Sequence, residues 1–485
     1  YSSFTAPTDQ VVPPRFFDDT PMHRAFILHA MFVFNDVLDP RKIHESLEAV
    51  VKREGWRRLG ARLRRNENGQ LEYHVPASFN QHRPAIKFSH IDYGTMDMKD
   101  HPVASRLPKA SSQVAALANP DEFQVLSRNV DSPRSLQDYI DGQEPQLGLH
   151  VVSFSDATLV SLICPHNLVD GMGIIAVCQA RTTLALQGRH KEIPETYPVD
   201  SDPLAELGRH PVETHKLSKR LMSLFDMVCY GLGNLDSIVV PDLERRIVCV
   251  PAPFLASLRR QAFLELKADD PGGKDLFLSE GDVLCAWWTR LCAAAQVVRN
   301  STRTVAFYNT HSLKGALARD LLRLDRPYLG NAFQLIAVLF KATDLLKRPL
   351  GSLANQIRQS TKELSSRGQV EAFAALWRAS RFRLIPCFGD SGMLIITCSN
   401  WTKTGVFDID LSAAISRRKH QSDARAPSRR GRPSFVYHNR LGSDALIGPN
   451  VLIIMGKDGD GNYWLDGCAR RKYWGKMEEL LAAES

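Results

Sequence analysis

A chain of 485 residues with 44% hydrophobic and 24% charged side chains has the composition of a globular protein, with length enough for two sizeable cores. It holds no apolar run of the roughly 18–20 residues that a membrane span requires, and no basic-then-apolar start of a secretory signal. The formal charge of +8 does not point to nucleic acid: much of the excess lies in Arg417-Arg418-Lys419 through Arg429-Arg430-Gly431-Arg432, a Ser/Pro-rich loop without interleaved aromatics.

The segment Met31-Phe32-Val33-Phe34 reads as a strand. Asp39-Pro40-Arg41 supplies an N-cap and a first-turn proline, and Ile43, Leu47, Val50 and Val51 keep helical spacing up to Gly55. Gly69-Gln70 joins two short strands, the second being Leu71–Val75. Residues 146–163 give further strand, ending at His166, and an amphipathic helix is expected from Ile174 to Leu186. Prolines 194, 198, 203 and 211 mark a polar crossover. We expect an N-terminal half over 1–200, a linker over 201–245 and a C-terminal half over 246–485.

The second half opens with the strand Arg246–Val250, a helix from Pro253 and another from Ser279 to Ala295. Strands return at Thr304–Tyr308 and Leu335–Leu339. Val451–Met455 and Tyr463–Leu465 flank a glycine-supplied turn, and a helix from Tyr473 closes the chain. The alternation predicts a mixed α/β fold. Nine scattered cysteines, odd in number and with no Cys-x-x-Cys pair, read as buried free thiols of a reducing, cytoplasmic compartment.

The chemistry concentrates in Cys164-Pro165-His166-Asn167-Leu168-Val169-Asp170-Gly171-Met172-Gly173, directly after an apolar strand. A histidine where a strand ends is placed as a general base, since an imidazole pKa of about 6.5 accepts a proton near neutral pH. Asp170 at this spacing braces the turn. Gly389-Asp390-Ser391-Gly392 imitates a serine-protease nucleophile but is followed by Met393, and no Gly-x-Ser-x-Gly elbow occurs, so it reads as a tight turn. Asp458-x-Asp460-x-Asn462 starts like a calcium loop, yet Tyr463 stands where the sixth-position glycine belongs and Ala469 where the closing glutamate belongs. His166 and Asp170 have no evident third ligand, so no metal is expected.

His166-x-x-x-Asp170-Gly171 resembles the active-site signature of the BAHD family of acyl-coenzyme-A-dependent acyltransferases. Other landmarks follow in the family's order: Gly60-Ala61-Arg62-Leu63, Ser279-Glu280-Gly281-Asp282, Tyr328-Leu329-Gly330-Asn331-Ala332, and Ser399-Asn400-Trp401 ahead of Asp410. The family's Asp-Phe-Gly-Trp-Gly is here Asp410-Leu411-Ser412-Ala413-Ala414, a departure that resembles the divergent fungal branch, trichothecene O-acetyltransferase-like enzymes among them.

The resemblance implies two similarly built chloramphenicol-acetyltransferase-like domains with an active-site channel between them. His166 would be the catalytic base and Ser399, with Asn400 as the alternative, the donor to the oxyanion. Asp170 would point away from the cavity and hold its loop through an ion pair, for which His311 stands where the family has an arginine. Gly171, Trp401 and Asp410 would be structural, and Asn331 and Asn400 would touch the coenzyme. The basic loop would either be solvated or meet coenzyme phosphates.

The function expected is acetyl transfer from acyl-coenzyme A to a hydroxyl of a secondary metabolite, by a monomer that retains no bound cofactor and engages neither nucleic acid nor membrane. Two alternatives stay open. One is a condensation-domain-like enzyme fed by a carrier protein, although Pro165 stands where such domains carry a second histidine. The other is a protein of this fold repurposed away from transfer.

Overall fold

The computed structural model describes residues 8–178, 186–234, 242–269, 276–298, 300–416, 429–442 and 448–484. Its first strands are β1 (Gln10–Val12), β2 (Phe26–Phe34), β3 (Arg62–Arg65), β4 (Leu71–Val75), β5 (Lys87–Asp92), β6 (Ala115–Ala118), β7 (Gly148–Ser153) and β8 (Thr158–Pro165). There follow β9 (Leu243–Val250), β10 (Thr304–Ser312), β11 (Phe333–Lys341), β12 (Leu394–Asn400), β13 (Phe435–Gly442), β14 (Val451–Lys457) and β15 (Tyr463–Arg470).

A five-stranded sheet runs β13-β2-β8-β7-β5 and a seven-stranded sheet runs β11-β10-β12-β14-β15-β9-β6, with β1-β4-β3 as a small third sheet. The strands β2 and β8 lie inside the five-stranded sheet and are buried almost throughout. That is why they read as continuous apolar runs rather than as alternating ones.

The helix Pro40–Val51 starts where the sequence sets it, with the Asp39 carboxylate accepting from Arg41 N at 2.9 Å and Lys42 N at 3.3 Å. It buries Ile43, Leu47, Val50 and Val51. The helix Glu280–Gln296 carries a reciprocal Ser279–Asp282 capping box and drives Trp287 and Trp288 into the core of the seven-stranded sheet. The predicted helix Ile174–Leu186 begins earlier, as Gly171–Ala176, because Asp170 caps it; its continuation over 179–185 lies outside the described residues.

Strand β6, from the first half of the chain, closes the edge of the seven-stranded sheet on β9, and β13, from the second half, closes the five-stranded sheet on β2. Main-chain ladders therefore join the two parts of the chain. Among the described residues no helix is long and apolar enough to cross a membrane.

Candidate active site

Strand β8 ends at Pro165, and the turn after it is held from both halves. His166 N donates to Phe26 O at 2.9 Å, and His166 O accepts from Asn331 Nδ2 at 2.9 Å. The Asp170 carboxylate accepts from Gly173 N at 2.9 Å, capping the helix, and from Ala332 N at 3.2 Å. Asp170 N in turn donates to Gly330 O at 3.3 Å. Behind this turn lies an ion pair closed to solvent, Arg58 to Asp18 at 2.5 Å, with side chains 2% and 0% exposed. Asp18 also accepts from Asn331 N at 2.7 Å and Asn331 Nδ2 at 3.0 Å, so the pair's oxygens are satisfied, as a buried carboxylate requires.

The turn opens on a cavity of about 350 Å³ bordered by His166, Trp401, Ser399, Asn400, His438 and Phe333, among others. His166 borders this cavity, and its Nδ1 is buried without a hydrogen-bond partner within the described protein. Burial lowers the His166 pKa below the ordinary 6.5, although the Asp18 charge and nearby backbone carbonyls act in the opposite direction. The His23 ring lies 4.8 Å from that of His166, its Nδ1 paired with Thr20 Oγ1 at 3.0 Å. Burial, and then the proximity of His166, holds His23 far below the usual imidazole range.

Trp401 organises the opposite wall. Its Nε1 donates to Ser399 Oγ at 3.0 Å, which occupies an acceptor site of the hydroxyl and leaves the serine proton to donate elsewhere. Its ring stacks 4.1 Å from His438 and lies over Gly171, where any Cβ would stand 2.5 Å from two ring atoms. Gly171 is thus required by close approach. His438 is buried, and burial, reinforced by the Arg245 charge, pushes it down to about 3.

No protein-family model matches the chain. It is 35% identical over 483 residues to acetyltransferase adrJ of Penicillium rubens, covering 98% of this chain and 96% of that relative. The chain belongs to the BAHD-type fungal acyltransferases. It is also 38% identical over 481 residues to a Penicillium decumbens protein named transcriptional regulator calD, covering 99% and 96% of the two chains. The fold is that of F. graminearum TRI101 complexed with ethyl coenzyme A, with a TM-score of 0.68 at 13% identity over 98% of this chain and 97% of the other.

In this acyltransferase the structure brings His166, Asp170, Gly171, Ser399, Asn400 and Trp401 to one cavity. Other expectations need correction. Asn331 is 1% exposed and its Nδ2 donates to Asp18 and the His166 carbonyl, so it stands in the support behind the turn and is not among the cavity-lining residues. The Asp170 carboxylate is held by the main-chain N–H groups of Gly173 and Ala332; no ion pair to His311 or to an arginine is present among the described residues. Helix-cap geometry accounts for this, because the carboxylate is already filled by two donors. Burial raises Asp170 to about 6, an effect that the Gly173 and Ala332 N–H groups oppose.

Asp410 caps a local turn through Ser412 N at 2.9 Å and is not among the cavity-lining residues. Residues 417–428 of the basic loop lie outside the described residues, while Arg429 pairs with Asp460 at 2.6 Å and Arg432 with Asp408 at 3.4 Å. Among the described residues no disulfide joins the cysteines. Sequence reasoning missed His23, His438, Asp18 and Arg58. Only Thr20-Pro21, an N-cap with a first-turn proline three residues before His23, offered a local signal.

Proposed function

We propose that the protein transfers an acetyl group from acetyl-coenzyme A to a hydroxyl of a secondary metabolite, with His166 as general base and no covalent acyl-enzyme. The observation that carries this is a histidine and an indole-held serine hydroxyl on the walls of one cavity. The buried Nδ1 keeps the ring proton, and Nε2 removes the proton of the acceptor hydroxyl as its oxygen attacks the thioester carbonyl. Ser399 donates to the oxyanion of the tetrahedral adduct, and the imidazolium then protonates the departing thiolate.

General-base help contributes about 10²–10⁴ in rate, one oxyanion donor about 10²–10³, and binding both substrates beside one base supplies the rest through proximity. The lowered pKa of His166 favours the neutral, proton-accepting ring at cellular pH. Asp170, Gly171 and Trp401 act by positioning, and Asn400 borders the coenzyme's reactive end. TRI101 structures are complexes with ethyl coenzyme A, or with coenzyme A and deoxynivalenol, which supports a coenzyme thioester as donor and a small molecule as acceptor.

We place the chain in the cytoplasm as a monomer of two halves, 1–200 and 246–485, joined by 201–245; cysteines that form no disulfide among the described residues support a reducing compartment. The test is a thiol-release assay with acetyl-coenzyme A and a panel of terpenoid and polyketide alcohols, run beside His166→Ala. Alcohol-dependent release that vanishes in the variant supports the reading. Release that survives it removes His166 as base, and release seen only with a carrier-bound donor assigns the condensation-type reaction. The regulator name of calD calls for one control, since an effect on transcription that survives His166→Ala would be a second role of the fold.

A further inference from the structure

The wall of the cavity formed by the seven-stranded sheet is patterned by strand. Every second residue faces the cavity: Phe333 and Leu335 on β11, Thr310 and Ser312 on β10, Thr397 and Ser399 on β12, Val451 and Ile453 on β14. The strands β10 and β12 are parallel neighbours with Thr310 opposite Ser399. Two central strands therefore present hydroxyls side by side, and the strands outside them present only hydrocarbon. Adjacent strands stand about 4.8 Å apart and alternate residues about 6.6 Å along a strand, so the hydroxyls form a patch of ligand size next to the reacting centre.

Ser399 Oγ is engaged by Trp401, and Ser312 Oγ accepts from Lys314 N at 3.3 Å. The Thr310 and Thr397 side chains make no recorded hydrogen bond within the described protein and are only half-buried, at the cavity surface. Across the cavity lie Phe26, Leu28, Met172 and Ile174. No lysine or arginine is among the described residues that border it, and burial disfavours the charged forms of His166 and His438.

A site of this kind solvates an uncharged oxygen or amide function and offers a carboxylate or phosphate no counter-charge. Building on the transferase reading, we propose that Thr310 and Thr397 form a specificity patch for a neutral, largely apolar acceptor that carries a second oxygen function besides the hydroxyl being acylated. A hydroxyl, ketone, ether or lactone oxygen satisfies this requirement. The acceptor's apolar face packs on the Phe26–Leu28 side, and its oxygenated edge meets the threonines.

The experiment compares Thr310→Val and Thr397→Val, close in shape and lacking only the hydroxyl, with the wild-type chain. Each is assayed with acetyl-coenzyme A on a matched series: a neutral terpenoid diol, its mono-alcohol, and the analogue with a carboxylate in place of the second hydroxyl. Removing one neutral hydrogen bond predicts a roughly two- to tenfold rise in KM for the diol, no rise for the mono-alcohol, and the carboxylate as the poorest wild-type substrate. Equal effects on diol and mono-alcohol would overturn the proposal. So would a rise confined to the KM for acetyl-coenzyme A, which would assign the patch to the amides of the coenzyme arm. If wild-type protein releases no thiol with any alcohol, the transferase reading fails by itself. The patch is then read by ligand-induced thermal shift, where a diol that stabilises wild type more than either valine variant supports it and equal shifts refute it.

Discussion

Gly171→Ala tests whether Trp401 is held at the position the chemistry needs. An alanine Cβ would come within 2.5 Å of two Trp401 ring atoms, whereas carbon atoms rest at about 3.5–4.0 Å. The indole must therefore withdraw by about 1 Å, with the His438 ring at 4.1 Å as a further neighbour to accommodate. That displacement stretches the 3.0 Å contact from Trp401 Nε1 to Ser399 Oγ toward 4 Å, beyond a hydrogen bond. Overpacking of this size costs about 1–3 kcal/mol of stability, and a misplacement of about 1 Å near reacting groups costs on the order of 10² in rate. The expected result is a folded protein with its melting temperature a few degrees lower and kcat/KM down by about 10–100-fold. Trp401→Phe removes the N–H and keeps most of the ring, so it should lose a similar factor, and the double variant should lose little more than either single one because both act through one contact. A folded Gly171→Ala within threefold of wild type in the thiol-release assay would refute this account of the wall.

His166→Ala is expected to lower kcat by at least about 10². Because burial lowers the His166 pKa, kcat/KM should be level across neutral pH and fall only in acid, below 6.5; a profile titrating above 6.5 would contradict the assignment. His29 and His438 are both buried and driven to about 3, so their neutral state gives stability that is fully present above the unfolded value near 6.5 and is lost as pH falls toward 3. Each such group steepens the loss by up to about 1.4 kcal/mol per pH unit, and urea midpoints between pH 7 and 5 should depend less on pH in His29→Phe; an unchanged slope counts against the reading. Asp18→Asn strips the buried Arg58 of its partner and should cost about 3–5 kcal/mol, while Asp18→Asn with Arg58→Met should recover part of it, as chemical denaturation would show.

What was legible in the sequence is what side chains write locally. The helix over Pro40–Val51 and the strands that carry His166 and Ser399 follow from caps and apolar runs, and the family resemblance brings two distant motifs to one cavity. What was not legible is contact between distant side chains and main chain. Asp18 and Arg58 are ordinary charged residues in the sequence and meet only because Asn331 folds onto the His166 turn. His438 faces Trp401 because β13 crosses to the other half's sheet, and an edge strand's destination leaves no mark in its own composition.

The same distinction explains how the site stands while the family's Asp-Phe-Gly-Trp-Gly motif has drifted to Asp410-Leu411-Ser412-Ala413-Ala414. The contacts of this segment with the first half include main-chain ones: Ala414 O accepts from Asp39 N at 2.7 Å, and Ile415 bridges to Leu38. Gly431, at φ +69°, closes against Ser412, where a Cβ would come within 2.4 Å of its backbone, and its carbonyl accepts from Leu411 N at 2.8 Å. Main-chain hydrogen bonds ask only that the backbone follow its path, so side chains here can change without moving Trp401 or the His166 turn. Asp170 obeys the same rule, held by the amides of Gly173 and Ala332 and by no charged partner. The residues whose identity the site does fix are those whose side chains meet one another. Ser399 and Trp401 are of this kind, and Gly171 is fixed because the indole leaves no room for a side chain.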